Sequence, residues 1–369
     1  MLLRKRQPID SLKDGNMVDD VFAVKLKKGV QPYAKGHTFH LLLTDSSGRS
    51  IDYKYWGGPD AAKVKALYDS IPSDGVVHVL GKVTTYQDKP QISTNEPDTV
   101  RSLAEGEYDS SDFIPVARRD VEAMWAELEG LIGGVKDPAT RELLETVFND
   151  PRIREKFKNH PGAIEIHHNW VGGLMQHTLE VAEYSLLSRK LFPDLDMDIL
   201  VAGSLLHDIG KLEEIEVKAR IKGTKKGQLK GHISLGYAFV SKVIDRLCSD
   251  EAVSSSQFPV LTENRKPKTE NGKPKTENGK PKTENGKPET EDPRQEKYDK
   301  ILHIVLSHHG SLEYGSPKPP MTPEAFAVYY ADEMSSKLAE ITDYVKWARE
   351  NTDDDFMYHK RHQRNILLD

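Results

Sequence analysis

The fold is decided by a stretch in the middle of the chain, Ile199-Leu200-Val201-Ala202-Gly203-Ser204-Leu205-Leu206-His207-Asp208-Ile209-Gly210-Lys211. Its first eight residues are apolar or small, which predicts a buried helix. The helix ends in His207 and Asp208, and Gly210 is expected to stop it. An imidazole and a carboxylate are costly to bury without partners. The stretch therefore predicts a site of chemistry inside a helical domain.

More histidines and aspartates occur in the helical segments on either side of this stretch. His177 lies three residues after Leu174 and four before Val181, a spacing that turns it toward the core. Imidazoles and carboxylates without cysteine suit an octahedrally bound Mn²⁺, Mg²⁺, Fe²⁺ or Zn²⁺ better than a closed structural zinc. The candidate metal ligands are His177, His207, Asp208, His232, His308, His309 and Asp332.

This number of ligands is enough for two metal ions that share a hydroxide, an arrangement that generates a nucleophile at neutral pH and binds a phosphoryl group. Asp208 and Lys211 are the candidate catalytic residues, and Lys211 could neutralise charge in the transition state. Some alternatives stay open at this point. His232 follows a Lys-Gly pair and could be a loop histidine, and one or both of His308 and His309 could be ligands. Glu213 and Glu214 are expected at the surface.

The first hundred residues have the pattern of a small β-barrel. Strands are predicted at 16–28, 38–44, 49–56, 75–86 and 90–94, with a short helix at 59–70. The third of these strands alternates strictly between polar and apolar residues, as a half-buried strand does. Three strands, a helix and two more strands in about 90 residues is the order of an OB-fold.

Aromatic and basic residues are interleaved on these strands, as in OB-folds that hold single-stranded nucleic acid without sequence preference. The alternation places Ile51, Tyr53 and Tyr55 on one face of the third strand, and Lys54 and Trp56 on the other. The polar face is the candidate binding surface, although most aromatic residues of a barrel belong to its core. The candidate nucleic-acid contacts in the barrel are Lys54, Trp56, Lys82 and Tyr86.

The remainder of the chain is predicted to be all-α, which makes the fold class α+β multidomain. An OB-fold barrel over 1–105 precedes a polar linker over 106–118 and a helical domain over 119–369, with no convincing strand beyond the linker. A seven-residue unit containing proline recurs from Thr262, Thr269 and Thr276, and in shortened form from Thr283. Such a segment lacks apolar residues, so 252–294 is predicted to be a disordered insertion of unknown role.

Composition narrows the class of protein. Hydrophobic residues make up 37% and charged residues 30% of the chain, and the only cysteine is Cys248. A disulfide framework and a cysteine-based zinc cluster are excluded, and a reducing, cytoplasmic location without membrane spans is expected. The net charge is −6, but residues 1–100 carry 14 Lys and Arg against 12 Asp and Glu, so the front module is mildly basic. This charge permits binding of a polyanion.

Two resemblances follow from these residues. The order of His177, His207-Asp208 and Asp332 resembles the signature of the HD metal-dependent phosphohydrolases. The OB-like front followed by a histidine-rich box resembles the YhaM family of 3′–5′ exoribonucleases over nearly the whole chain outside the repeats. The box is His167-His168-Asn169-Trp170-Val171-Gly172-Gly173-Leu174-Met175-Gln176-His177-Thr178.

The resemblance implies a metal-dependent exonuclease that shortens single-stranded RNA, and in some members DNA, to nucleoside 5′-monophosphates by attack of a metal-activated hydroxide. It implies a core metal site at His177, His207, Asp208 and Asp332, with His232, His308 and His309 holding or completing a second site. Lys211 would contact phosphate. His168 matches a family histidine and is predicted to contact the nucleic acid, with a ligand or a packing role as alternatives. Mn²⁺ is the favoured cation.

Two other functions remain open from the sequence. One is an HD phosphohydrolase of nucleotides or cyclic dinucleotides whose OB-fold is regulatory. The other is a single-strand-binding adaptor whose metal centre has been lost, which the complete set of ligands argues against. The sequence is compatible with a monomer or a homo-oligomer.

Overall fold

The computed structural model describes residues 2–87, 89–109, 112–117, 119–164, 168–249 and 293–368. The first part of the chain forms six strands and one helix. Five predicted strands and the predicted helix are present, with ends shifted by up to five residues. The elements are β1 (Met17–Tyr33), β2 (Gly36–Thr44), β3 (Ser50–Trp56), α1 (Ala61–Ser70), β4 (Val76–Tyr86), β5 (Lys89–Asn95) and β6 (Val100–Leu103).

Five of these strands close into an OB-like barrel, as predicted. The sheet runs in the order β1-β2-β3-β5-β4, and β1 pairs with β4 as well as with β2, which closes the barrel. β1 is bent by register shifts between Val24 and Leu26 and between Lys28 and Gln31, which allows it to pair with both β2 and β4. Phe22, Phe39 and Tyr53 fill the interior and are fully buried.

The sixth strand was not predicted, since the last strand expected in the barrel was the one at 90–94. Val100–Leu103 pairs antiparallel with Val76–Val79 on the far side of β4. Val100 and Leu103 are buried while the residues between them are not. A four-residue strand with two apolar positions is too short to stand out as an alternating pattern.

The second part of the chain is a bundle of helices. Several of them begin at an aspartate or threonine that caps the first turn, followed by proline at the first helical position, as at Asp137-Pro138, Asp150-Pro151 and Thr322-Pro323. The helices are α2 (Val121–Gly134), α3 (Pro138–Phe148), α4 (Pro151–Asn159), α5 (Gly173–Leu191), α6 (Met197–Leu206), α7 (Lys211–Glu214), α8 (Lys225–Cys248), α9 (Pro293–Ser307) and α10 (Pro323–Arg349).

Two small hairpins contradict the expectation that this part contains no strand. β7 (Ile215–Val217) pairs with β8 (Ile221–Gly223), and β9 (Phe356–His359) pairs with β10 (Arg364–Leu367). Their strands have three or four residues, which is too short to carry a periodic signal. Within the described residues, no helix is both long and apolar enough to cross a membrane.

The segment between the two parts is packed rather than free. Phe113 and Ile114 lie in the predicted linker, are 4% and 2% exposed, and join a cluster with Val21 of the barrel and Ala219 of the β7–β8 turn. Asp74 of the barrel forms ion pairs with Arg220 and with Lys222, the latter at 2.9 Å. The domain limits at 105 and 118 stay predictions. Most of the predicted insertion lies outside the described residues, but 293 and 294 belong to α9.

Candidate metal centre

Five helical elements bring the predicted metal ligands to one place. α5 carries His177, the end of α6 leads into His207 and Asp208, and α10 carries Asp332. His232 lies in α8, and His308 and His309 follow α9 directly. His177, His207, Asp208, His308 and Asp332 are buried, and His232 and His309 are half-buried.

Asp208 lies at the middle of this cluster. Its carboxylate faces the Nε2 atoms of four histidines, and the Nε2 atom of His177 also faces Asp332. The distances from Asp208 are 3.5 Å to His177, 3.3 Å to His207, 3.5 Å to His232 and 3.6 Å to His308, and His177 lies 3.1 Å from Asp332 Oδ1.

All five imidazoles are held from behind through Nδ1. In each ring Nδ1 lies within hydrogen-bond distance of an oxygen acceptor outside the cluster, so Nδ1 is directed outward and Nε2 points inward. The acceptors are Ser335 Oγ for His177 (3.0 Å), Ser204 O for His207 (2.7 Å), Glu214 Oε2 for His232 (3.0 Å), Val305 O for His308 (2.9 Å) and Tyr314 O for His309 (2.8 Å).

The donor atoms that point inward fit a divalent cation. Asp208 Oδ1, His232 Nε2 and His308 Nε2 are buried without a hydrogen-bond partner in the described part of the chain. Buried polar atoms are almost always paired, so three unpaired ones in one cluster indicate a site that binds a cation. Two sets of mutually close donors share Asp208. They are His177, His207 and Asp208, and Asp208, His232, His308 and His309.

The electrostatics of the cluster also favour a cation. Burial would lower the pKa of His177, but hydrogen bonds to Asp208 and Asp332 raise it to about 9. Burial lowers the pKa of His308 to about 3, which keeps that ring neutral and able to bind a metal. Burial would raise the pKa of Asp208, yet Lys211 and His207 hold it well below its ordinary value. The ionised carboxylates of Asp208 and Asp332 stabilise positive charge on His177, and the same negative charge would stabilise a bound metal ion.

Behind His177 runs a chain of polar contacts that the sequence analysis did not find. Ser335 accepts from His177 and donates to Glu180 Oε2 at 2.7 Å. The same carboxylate oxygen lies 3.1 Å from His168 Nε2. These partners hold the ring of His177 in orientation, a role that supports metal affinity. His168 is 1% exposed and lies behind the cluster, a placement unlike that expected for a residue that contacts nucleic acid.

Glu214 is a further supporting residue, which corrects its expected surface position. Its Oε1 accepts the backbone N–H of His232 at 3.0 Å while Oε2 accepts from the ring. Gly231 makes this possible because its positive φ of 70° breaks α8 and restarts it at His232. Glu213 pairs instead with Lys226.

Gly210 has a different role from the helix stop predicted for it. α6 already ends at Leu206, and Gly210 has ordinary right-handed angles, φ −66° and ψ −18°. A Cβ at this position would lie 2.0 Å from the carbonyl oxygen of His232. The glycine therefore allows α8 to approach the His207–Asp208 turn closely.

Lys211 is 8% exposed, and its Nζ lies 2.6 Å from Asp208 Oδ2. It also lines a cavity of ≈ 880 Å³ that contains His309 and Asp332. Lys211 thus forms an ion pair with Asp208, the residue common to both donor sets, at the wall of the cavity. Contact with phosphate stays a prediction for it.

The polar face of the barrel carries the predicted contacts Lys54, Trp56 and Lys82. Lys54 Nζ lies 3.9 Å from the centre of the Trp56 ring. Ser93 pairs with Lys54 on one side and with Lys82 on the other, so the two lysines share a row across the sheet. Tyr86 is 62% exposed at the end of β4.

Two residues of this row were missed by the sequence analysis. His40 pairs with Lys54, and Lys28 pairs with His40. Burial, together with the charges of Lys54 and Lys28, lowers the pKa of His40. The alternation of β2, in which Phe39 and Leu41 are buried, was the signal that could have placed His40 on the outer face.

Comparison with known proteins agrees with this geometry. The model of the HD domain family matches residues 174–287. The "3'-5' exoribonuclease YhaM" of Geobacillus sp. (strain WCH70) is 28% identical over 326 residues, which cover 88% of this chain and 83% of the relative. The resemblance predicted from the sequence is thereby confirmed, and the chain carries a helical HD domain.

Among solved structures, a chain of a replication protein A heterotrimer bound to ssDNA is similar to this protein. The match covers 33% of this chain and 29% of that chain. The identity is 19% and the TM-score is 0.22, which is too low for an inference about fold or function.

Proposed function

We propose that the chain is a metal-dependent 3′–5′ exonuclease that hydrolyses single-stranded RNA to nucleoside 5′-monophosphates, with single-stranded DNA as a second substrate. The observation that carries the proposal is the set of five histidines held through Nδ1 around Asp208. The HD domain and the similarity to a named exoribonuclease identify a hydrolase of phosphodiester bonds.

Two ions would fit the two donor sets. His177 and His207, with Asp332 beside them, would hold one ion, and His232, His308 and His309 would hold the other. Asp208 belongs to both sets and would bridge them. Bound divalent cations supply Lewis-acid activation of water and neutralise charge on the phosphoryl group. Mn²⁺ is the favoured ion for these nitrogen and oxygen donors, with Mg²⁺, Fe²⁺ and Zn²⁺ as alternatives.

The side chains prepare this site for a phosphodiester. The Nδ1 contacts hold each ring with Nε2 directed at the metal site, so little rotation of the side chains accompanies binding. Lys211 holds Asp208 in place through the 2.6 Å contact and adds positive charge at the cavity wall, where a phosphate would enter.

The outer face of the barrel is the proposed strand-binding surface. Lys28, Lys54 and Lys82 form a basic row that also contains His40, with Trp56 beside it, and lysines next to an exposed ring hold a single strand through phosphate contacts and stacking. The partner is single-stranded RNA or DNA. A cytoplasmic location stays a prediction.

A small-nucleotide hydrolase with a regulatory barrel is the alternative. The experiment that separates the two compares a 20-nucleotide single-stranded RNA, a cyclic dinucleotide and bis(p-nitrophenyl) phosphate as substrates. The proposal expects the wild type to degrade RNA and to leave the cyclic dinucleotide intact. The reverse preference would select the alternative.

In the same assay, Trp56→Ala is expected to raise the KM for RNA by about fivefold to a hundredfold, because one stacked base contributes about 1–3 kcal/mol. Its rate with bis(p-nitrophenyl) phosphate, which is too small to reach the barrel face, should change much less. Phe192→Ala removes an exposed aromatic ring outside the barrel and is the matched control. Equal losses on both substrates would contradict the role of the barrel face.

A further inference from the structure

The cavity beside the metal centre is also lined by residues that the proposed chemistry does not use. Lys211, His309 and Asp332 belong to its lining. So do residues 361–364, from the β9–β10 turn and the start of β10, and Lys337 of α10. The C-terminal hairpin therefore faces the space that a substrate would occupy.

The hairpin is fastened to α10 at both of its ends. The hydroxyl of Tyr344 donates to the carbonyl of Tyr358 at 3.2 Å. Arg349 Nε donates to the carbonyl of Leu368 at 2.7 Å, and Leu368 is 7% exposed. These contacts fix the hairpin as part of the cavity wall.

The turn itself is fixed by one carboxylate. Glu340 lies 3.2 Å from Arg361 Nη1, 3.4 Å from His362 Nε2 and 3.7 Å from His359 Nε2. These two histidines and Glu340 also have the residue types of a metal site. Two contacts favour an anchor instead, because His359 Nδ1 accepts the backbone N–H of His362 and Arg361 already neutralises the carboxylate.

The distance of the turn from the metal centre follows from the helix. Asp332, Ser336 and Glu340 recur every fourth residue and share one face of α10. Eight residues of α-helix span about 12 Å. The turn held by Glu340 is thus about two helical turns away from the metal ligand Asp332.

Four basic side chains line the cavity, and three of them are paired with carboxylates. Lys211 contacts Asp208, Lys337 contacts Glu333, and Arg361 contacts Glu340. The fourth, Arg364, is exposed, and in the described part of the chain its contact is from Nε to the carbonyl of His362 at 2.9 Å. A guanidinium with open donors suits a phosphate, which it binds through two parallel hydrogen bonds.

We propose that this turn binds the RNA backbone on the 5′ side of the bond being cut, with Arg364 as the main phosphate ligand and Arg361 beside it. The inference rests on the proposed function. A 3′–5′ exonuclease has only one nucleotide beyond the scissile bond, and all other phosphates of the strand lie on the 5′ side. The turn is held about two helical turns along α10 from Asp332, so a phosphate bound there belongs to that side of the strand.

The test is Arg364→Ala, with Lys360→Ala as its matched control. Lys360 is an exposed basic residue of the same turn that is not among the residues lining the cavity. Arg364→Ala is expected to raise the KM for a 20-nucleotide RNA about tenfold to a hundredfold, with kcat within about threefold. The slope of log KM against log salt should fall by about 0.7, the loss of one phosphate contact. Arg364→Lys should recover part of the affinity.

An unchanged KM in Arg364→Ala, or an equal rise in Lys360→Ala, would overturn the phosphate site. A failure of the proposed function looks different, because the wild type would then bind RNA without shortening it. In that case the affinity of Arg364→Ala for RNA, measured by fluorescence anisotropy with Ca²⁺ in place of Mn²⁺, still decides the inference. A tenfold weaker affinity than that of Lys360→Ala would support it, and equal affinities would overturn it.

Discussion

Replacing Asp208 by alanine is expected to lower the rate of RNA hydrolysis by about a thousandfold or more. Asp208 is the one residue common to both donor sets, so its loss affects both ions at once. Metal ions contribute several kcal/mol of transition-state stabilisation, and each 1.36 kcal/mol is a factor of ten in rate. RNA affinity should stay within about threefold, because the proposed strand contacts lie elsewhere.

The measurement pairs a hydrolysis time course with RNA binding by anisotropy. Asp194→Ala, which removes an exposed aspartate from the loop before α6, is the matched control and should behave as the wild type. Asp208→Ala leaves Lys211 buried without its partner, so Asp208→Asn is the second variant and the melting temperature of both is recorded. Wild-type rates in either variant with saturating Mn²⁺ would contradict the assignment of the centre.

Replacing His308 or His177 by alanine is expected to remove about one of two bound metal ions and to lower the rate at least a hundredfold. The two histidines belong to different donor sets, so each variant should keep the ion of the other set. The loss of rate is large because the two ions act together on one phosphoryl group. Metal per chain is measured by mass spectrometry after dialysis against Mn²⁺.

His303→Gln is the control for this experiment. His303 lies on α9, about one turn before His308, but accepts the backbone N–H of Met321 and lies outside both donor sets. Its metal content should equal that of the wild type. If the wild type binds one ion and neither histidine variant binds any, the centre is a single metal site and the two-ion assignment is wrong.

Features that depend on local pattern were predictable from the sequence. The alternation of Ile51, Tyr53 and Tyr55 with Lys54 and Trp56 is reproduced by the buried and outer faces of β3, because side chains of a strand alternate whatever surrounds it. The His207–Asp208 turn was predictable for a similar reason. Two titratable side chains at the end of a buried apolar helix are costly to bury unless they are paired or bind a metal ion, so the sequence itself indicates a site there.

Features that depend on distant partners were not predictable in this way. Ser335 orients His177, although the two residues are 158 positions apart in the sequence. The residues next to Ser335 in the sequence do not indicate that it contacts a metal ligand. Glu214 was expected at the surface since glutamate usually lies there, and its role follows from the break in α8 at Gly231. The C-terminal hairpin has strands of only four residues, and its place in the cavity wall comes from contacts with α10.

The most direct test of the metal-dependent exonuclease is a gel time course on a single-stranded RNA of about 20 nucleotides labelled at its 5′ end. With Mn²⁺, the proposal predicts a ladder that shortens from the 3′ end and releases nucleoside 5′-monophosphates, and no shortening in EDTA. An intact band from wild-type protein that carries metal, or a ladder that persists in EDTA, would contradict it.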